Sequence, residues 1–173
     1  MAMDTDYNAT YAITDVINNN AKVDGTAVDN TGMSQGALYN QLSSIVTNWN
    51  LTMTKLEADD ATTTTYTPDN AYTTLATQGN GLSVKGMHQV DLYNKLADIA
   101  TKFNAVLALL DADGGITKDN YTTTVNALGT AAALALNAKV SGTGIGQQDI
   151  VDFLDDYITK YNGLLAHLDT DGS

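Results

Sequence analysis

The chain has no cysteine, no arginine, a single glutamate (Glu57) and a single proline (Pro68). Without cysteine, neither a disulfide framework nor a thiolate metal site can form. Without arginine there is no bidentate clamp for phosphate or carboxylate. Eight lysines are scattered over 173 residues against 20 acidic ones, for a formal net charge of −12. That balance excludes a nucleic-acid backbone as partner, which needs basic clusters, and it disfavours anionic membrane surfaces. Long apolar runs are missing too: those around 105–110 and 131–136 fall far short of the ~20 residues that span a bilayer. Met1-Ala2-Met3-Asp4-Thr5-Asp6-Tyr7 has neither a basic region nor an apolar run. The expectation is a soluble protein made in the cytoplasm without an export signal.

Catalysis also has little to draw on. His88 and His167 are the only histidines, and the internal copies described next put Ser34 and Gly146 in the place of His88, and Lys55 and Leu109 in the place of His167. Both histidines therefore look replaceable, and no enzyme, cofactor or small-molecule substrate is expected.

What is present is a repeat. Leu92, Leu96, Ile99, Phe103, Val106 and Leu110 alternate steps of four and three, the spacing of an amphipathic helix with a narrow coiled-coil-like seam. The pattern occurs twice more, as Leu38, Leu42, Ile45, Trp49, Thr52 and Leu56, and as Ile150, Leu154, Tyr157, Tyr161, Leu164 and Leu168. The second copy lies 54 residues after the first and the third 58 after the second. An aromatic falls at one seam position each time, in Thr47-Asn48-Trp49-Asn50, Thr101-Lys102-Phe103-Asn104 and Thr159-Lys160-Tyr161-Asn162. Sharing the seam register, Trp49, Phe103 and Tyr161 read as core.

With Ser34, His88 and Gly146 as N-caps, Met33, Met87 and Ile145 stand one residue before the cap, and Leu38, Leu92 and Ile150 four after it. That is a hydrophobic staple. Asp91 and Asp149 fall in first turns, where the helix dipole favours a negative charge. The helices stop at Leu56-Glu57-Ala58-Asp59, Leu110-Asp111-Ala112-Asp113-Gly114-Gly115 and Leu168-Asp169-Thr170-Asp171-Gly172. Between them, Pro68-Asp69-Asn70-Ala71-Tyr72 resembles Lys118-Asp119-Asn120-Tyr121, with Asp4-Thr5-Asp6-Tyr7 as a third version. Shorter helices are expected over roughly 11–19, 72–77 and 121–137.

A helix with so narrow a seam cannot bury it alone. The expected fold is all-α: three helical repeats (roughly 4–60, 61–113 and 114–173) in one domain, 1–173. They would form a pseudo-threefold bundle of three long helices, with shorter helices outside. The segments holding Asp4–Tyr7 and Leu168–Gly172 look like two halves of one inter-repeat joint cut open.

The Asp-rich stops raise a calcium reading, with Asp111, Asp113, Asp119, Asp169 and Asp171 as oxygen ligands. An EF-hand loop starting at Asp111 needs Gly sixth and Glu twelfth, and it finds Ile116 and Thr122. Helix stops with solvated charge are the simpler reading. Gly142-Thr143-Gly144-Ile145-Gly146-Gln147 lacks the spacing and the lysine of a phosphate loop, and reads as a helix entry.

Leu107-Ala108-Leu109-Leu110-Asp111-Ala112-Asp113-Gly114-Gly115-Ile116-Thr117-Lys118-Asp119-Asn120-Tyr121, preceded by Thr101-Lys102-Phe103-Asn104-Ala105, resembles a segment of small virion proteins of tailed bacteriophages. The resemblance implies a non-enzymatic structural component of the virion, capsid-associated as decoration, head fibre or neck. Its partners would be other virion structural proteins and copies of itself. The alternative is a calcium-dependent binding or adhesion module using the Asp-rich turns.

Overall fold

The computed structural model describes residues 5–13, 35–59, 66, 89–113, 121–126 and 147–171. Helical residues make up 93% of these and none lies in a strand, so the chain is all-α. In order come α1 (Tyr7–Tyr11), α2 (Gln35–Asp59), α3 (Gln89–Ala112), a π-helical turn (Thr122–Asn126) and α4 (Gln147–Asp171). No helix among the described residues is long and apolar enough to cross a membrane.

The long helices have 25, 24 and 25 residues, or about 37 Å each at 1.5 Å per residue. Each begins on the glutamine after the residue read as N-cap and ends at the Asp-rich stop. The caps Ser34, His88 and Gly146, with the staple residues Met33, Met87 and Ile145, lie outside the described residues. So do Asp119, Pro68, the glycine-rich 142–146 and the side chains of Asp91 and Asp149.

Every residue of the three seams is buried, from Leu38 to Leu56, Leu92 to Leu110 and Ile150 to Leu168. At mid-height the indole of Trp49 meets Phe103 at 5.6 Å and Tyr161 at 6.2 Å, and Tyr157 packs edge-on to Phe103 at 5.6 Å. Residues at the same place in the three copies therefore pack at one level. A second stripe, Val46, Ala100 and Ile158 with Met53, Leu107 and Leu165, is buried as well. It widens each apolar face from a coiled-coil seam to that of a helix in a globular core.

The first short helix departs from expectation. It spans Tyr7–Tyr11, ahead of the expected 11–19, and Ala12 leaves it with ψ 140°; residues 14–19, and the helix expected over 72–77, lie outside the described residues. The tyrosine expected to precede the helix opens it, because its N–H finds a carboxylate on α4. The N-cap Asp6 makes no side-chain cap bond of its own. Within the expected 121–137 helix, the described part is Tyr121 and the π-helical turn.

Candidate functional site

The functional chemistry of the described residues is concentrated at the C-terminal ends of α2, α3 and α4. The stops pair their acids two residues apart: Glu57 with Asp59, Asp111 with Asp113, and Asp169 with Asp171. Between the pairs run three tyrosines, Tyr7, Tyr66 and Tyr121, all fully buried.

Each tyrosine bridges two helix ends. Tyr7 donates its N–H to Asp169 Oδ1 at 2.6 Å and its hydroxyl to Asp59 Oδ2 at 2.8 Å. Tyr66 donates its N–H to Glu57 Oε2 at 2.6 Å and its hydroxyl to Asp113 Oδ2 at 2.9 Å. Tyr121 donates its N–H to Asp111 Oδ1 and its hydroxyl to Asp171 Oδ2. The backbone thus takes the first acid of one helix and the hydroxyl the second acid of the next: α4 to α2, α2 to α3, α3 to α4. All three C-terminal ends lie within a tyrosine's length of one another. The same three helices also meet through Trp49, Phe103 and Tyr161 at mid-height.

In two of the three pairs the first acid also caps a short helical element. Asp169 accepts from Tyr7 N–H and, at 3.0 Å, from Asn8 N–H. Asp111 accepts from the N–H groups of Tyr121 and Thr122 and from the Thr122 hydroxyl. First-turn N–H groups have no partner inside their own helix, and an anion there is favoured by the helix dipole. A remote carboxylate takes the place of the local cap.

This corrects the reading of the stops as solvated charge. Asp113 is buried, and Asp169 and Asp171 are only partly exposed. Asp111 alone is exposed, and it still holds Tyr121 and Thr122. As for calcium ligands, Asp111, Asp113, Asp169 and Asp171 each accept from a tyrosine. Among the described residues no group of three or more acidic or histidine side chains is placed to hold a metal ion.

Tyr66 takes the same kind of contacts as Tyr7 and Tyr121. It follows its acid Glu57 by nine residues, and Tyr121 follows Asp111 by ten. Pro68-Asp69-Asn70-Ala71-Tyr72, paired in the sequence with Lys118-Asp119-Asn120-Tyr121, lies outside the described residues.

The position occupied by Lys55 and His167 has a role at the joint. The Lys55 ammonium lies 6.0 Å from the centroid of the Tyr7 ring, and His167 packs edge-on to Tyr121 at 6.2 Å. Lys55 also pairs with Asp59 at 3.5 Å, one turn on. His88 lies outside the described residues.

Two polar contacts escaped sequence reasoning. Thr52, at a seam position where the other copies have Val106 and Leu164, bonds the Tyr161 hydroxyl at 2.7 Å, and the same hydroxyl donates to the Tyr11 carbonyl at 3.2 Å. Burial pushes the Tyr161 hydroxyl well above its ordinary pKa, with the Thr52 bond pulling the other way. Asn162 holds both sides of the Ile13 backbone, accepting from its N–H at 3.0 Å and donating to its carbonyl at 3.0 Å. The recurrence of Asn50, Asn104 and Asn162 after the seam aromatic was the available signal.

On α3 the buried Lys95 reaches Asp98 at 3.8 Å, and Lys102 reaches the same carboxylate at 3.2 Å. Burial pushes the Lys95 ammonium down against the pull of Asp98. In comparison with known proteins, no family model, curated protein or solved structure matches the chain.

Proposed function

We propose that the chain is a non-enzymatic structural component of a tailed-phage virion, capsid-associated as decoration, head fibre or neck. It acts through contacts with other virion structural proteins. In this reading residues 1–173 form one domain of three repeats, arranged as a pseudo-threefold bundle of parallel long helices with the short elements outside.

The observation that carries the proposal is the role of the segment behind the resemblance. In Leu107–Tyr121, Asp111 caps the next short element, Asp113 receives a tyrosine hydroxyl, and Tyr121 crosses to Asp171. The motif is a joint between repeats, so chains that share it share a way of building rather than a reaction. The chemistry around it supports the same reading, since the acidic pairs are engaged in holding helices together.

The test is a map, or a native mass spectrum, of purified particles of the phage encoding the chain. The chain should appear at a fixed copy number on the particle. Its absence from intact particles would contradict the proposal. Melting with and without millimolar calcium separates the adhesion alternative: specific binding raises the melting temperature in proportion to ln(1 + [L]/Kd), and the virion reading predicts no rise.

A further inference from the structure

Two of the three tyrosine joints are closed over a short path, Tyr66 lying nine residues after Glu57 and Tyr121 ten after Asp111. The third is different. Residues 5–13 meet α4 across 149 to 162 residues of sequence, and residues 14–34 separate them from α2. The groove that holds them is built by Asp169 on two backbone N–H groups, Asn162 on both sides of Ile13, the Tyr161 hydroxyl on the Tyr11 carbonyl, and Asp59 on the Tyr7 hydroxyl. Tyr7 and Ile13 are buried in it.

We propose that this groove on α2 and α4 accepts residues 5–13 of a second copy as well as its own, linking copies by segment exchange. Every contact just named runs between the segment and the long helices, so a segment from a neighbour would reproduce all of them. Releasing it unwinds one turn of helix and opens one of the three tyrosine joints. The 21 residues 14–34 can span at most about 70 Å, nearly twice the length of the bundle. Tyr66 and Tyr121, tethered within ten residues of their own helix ends, have no such freedom.

Each copy offers one segment and one groove, so exchange closes into a reciprocal pair or a larger ring, or runs on as an open chain. Attachment in the same chain raises the concentration of the chain's own segment at its own groove, on the order of millimolar. The self-closed form therefore prevails in dilute solution, and exchange takes over where copies are crowded in an assembly.

Two full-length variants test this. One has a defective segment (Tyr7→Ala with Ile13→Ala) and the other a defective groove (Asn162→Ala with Asp169→Ala). Circular dichroism and the emission of the lone tryptophan, buried Trp49, report whether each folds. Mixed at high concentration, folded variants should give a one-to-one complex in native mass spectrometry that neither gives alone. A mixture that stays monomeric overturns the proposal.

A second measurement is independent of those variants' folding. Asn8 and Thr170 are exposed, and the chain has no cysteine of its own. Full chains carrying Asn8→Cys alone and Thr170→Cys alone should form the mixed disulfide at least ten-fold faster than either forms its own. Equal rates overturn the proposal.

Discussion

At mid-height the three copies bring Trp49, Phe103 and Tyr161 together. At the C-terminal end they bring the pairs Glu57–Asp59, Asp111–Asp113 and Asp169–Asp171 onto three tyrosines. The first level varies in chemistry, mixing indole, phenyl and phenol, and the Thr52 hydroxyl takes up the phenol's hydroxyl. The second level keeps carboxylate and tyrosine at every position, with Glu57 for Asp as the only change. An apolar layer needs volume filled, and several side chains fill it. A buried hydroxyl on a carboxylate needs both donor and acceptor, since either left alone costs the full desolvation of that group.

That contrast can be broken by substitution. Trp49→Ala should have the largest effect, a loss of about 3–5 kcal/mol in urea unfolding, because a fully buried indole leaves a cavity between α3 and α4. Next comes Asp113→Ala, which leaves the buried Tyr66 hydroxyl without its acceptor and should cost about 1–3 kcal/mol. Thr52→Val should cost about 1 kcal/mol alone. The double variant with Tyr161→Phe should cost less than the two single changes summed, because both remove the same bond; a double-mutant cycle reads the difference.

The same hydroxyl gives a pH dependence. Unfolded, Tyr161 ionises near the usual value of about 10, whereas burial holds its folded pKa higher. Its contribution is therefore complete below about pH 10 and is lost as pH rises toward the folded value. Tyr161→Phe should flatten this alkaline limb of the stability curve.

The smallest effect has the opposite sign. Gly163 lies inside α4, where a Cβ would meet nothing within 4 Å. Gly163→Ala should therefore stabilise by about 0.5–1 kcal/mol. It occupies the place of Ala105 and of Leu51, the one large apolar side chain exposed among the described residues.

The long helices were legible because their signal is local. Steps of four and three over six positions, three times, named the seam residues that are buried, and the glutamines after Ser34, His88 and Gly146 start the helices. The second buried stripe was not legible. Val46 and Met53 flank the seam, and their burial depends on what packs over them, a tertiary fact. The joint was half legible. Its acids were visible as a recurrence, but Asp and Gly also stop ordinary helices, so their acceptors' role could not be told from a breaker's. The part played by Tyr66 was not visible, since nothing in the polar run 61–65 before it marks it as a partner of Glu57. The meeting of the Tyr7 segment with Asp169 was foreshadowed by the match between residues 4–7 and 118–121, since a repeat that opens with half a joint and closes with the other half can join them.

Three tyrosines, each on two carboxylates, hold three helix ends together. The most direct test is urea unfolding of Tyr7→Phe, Tyr66→Phe and Tyr121→Phe, each of which removes one hydroxyl from one carboxylate. The account predicts a loss of about 1–2 kcal/mol for every variant. If one variant lost stability while the other two unfolded like the natural chain, two of the three hydroxyls would hold nothing and the account would fail.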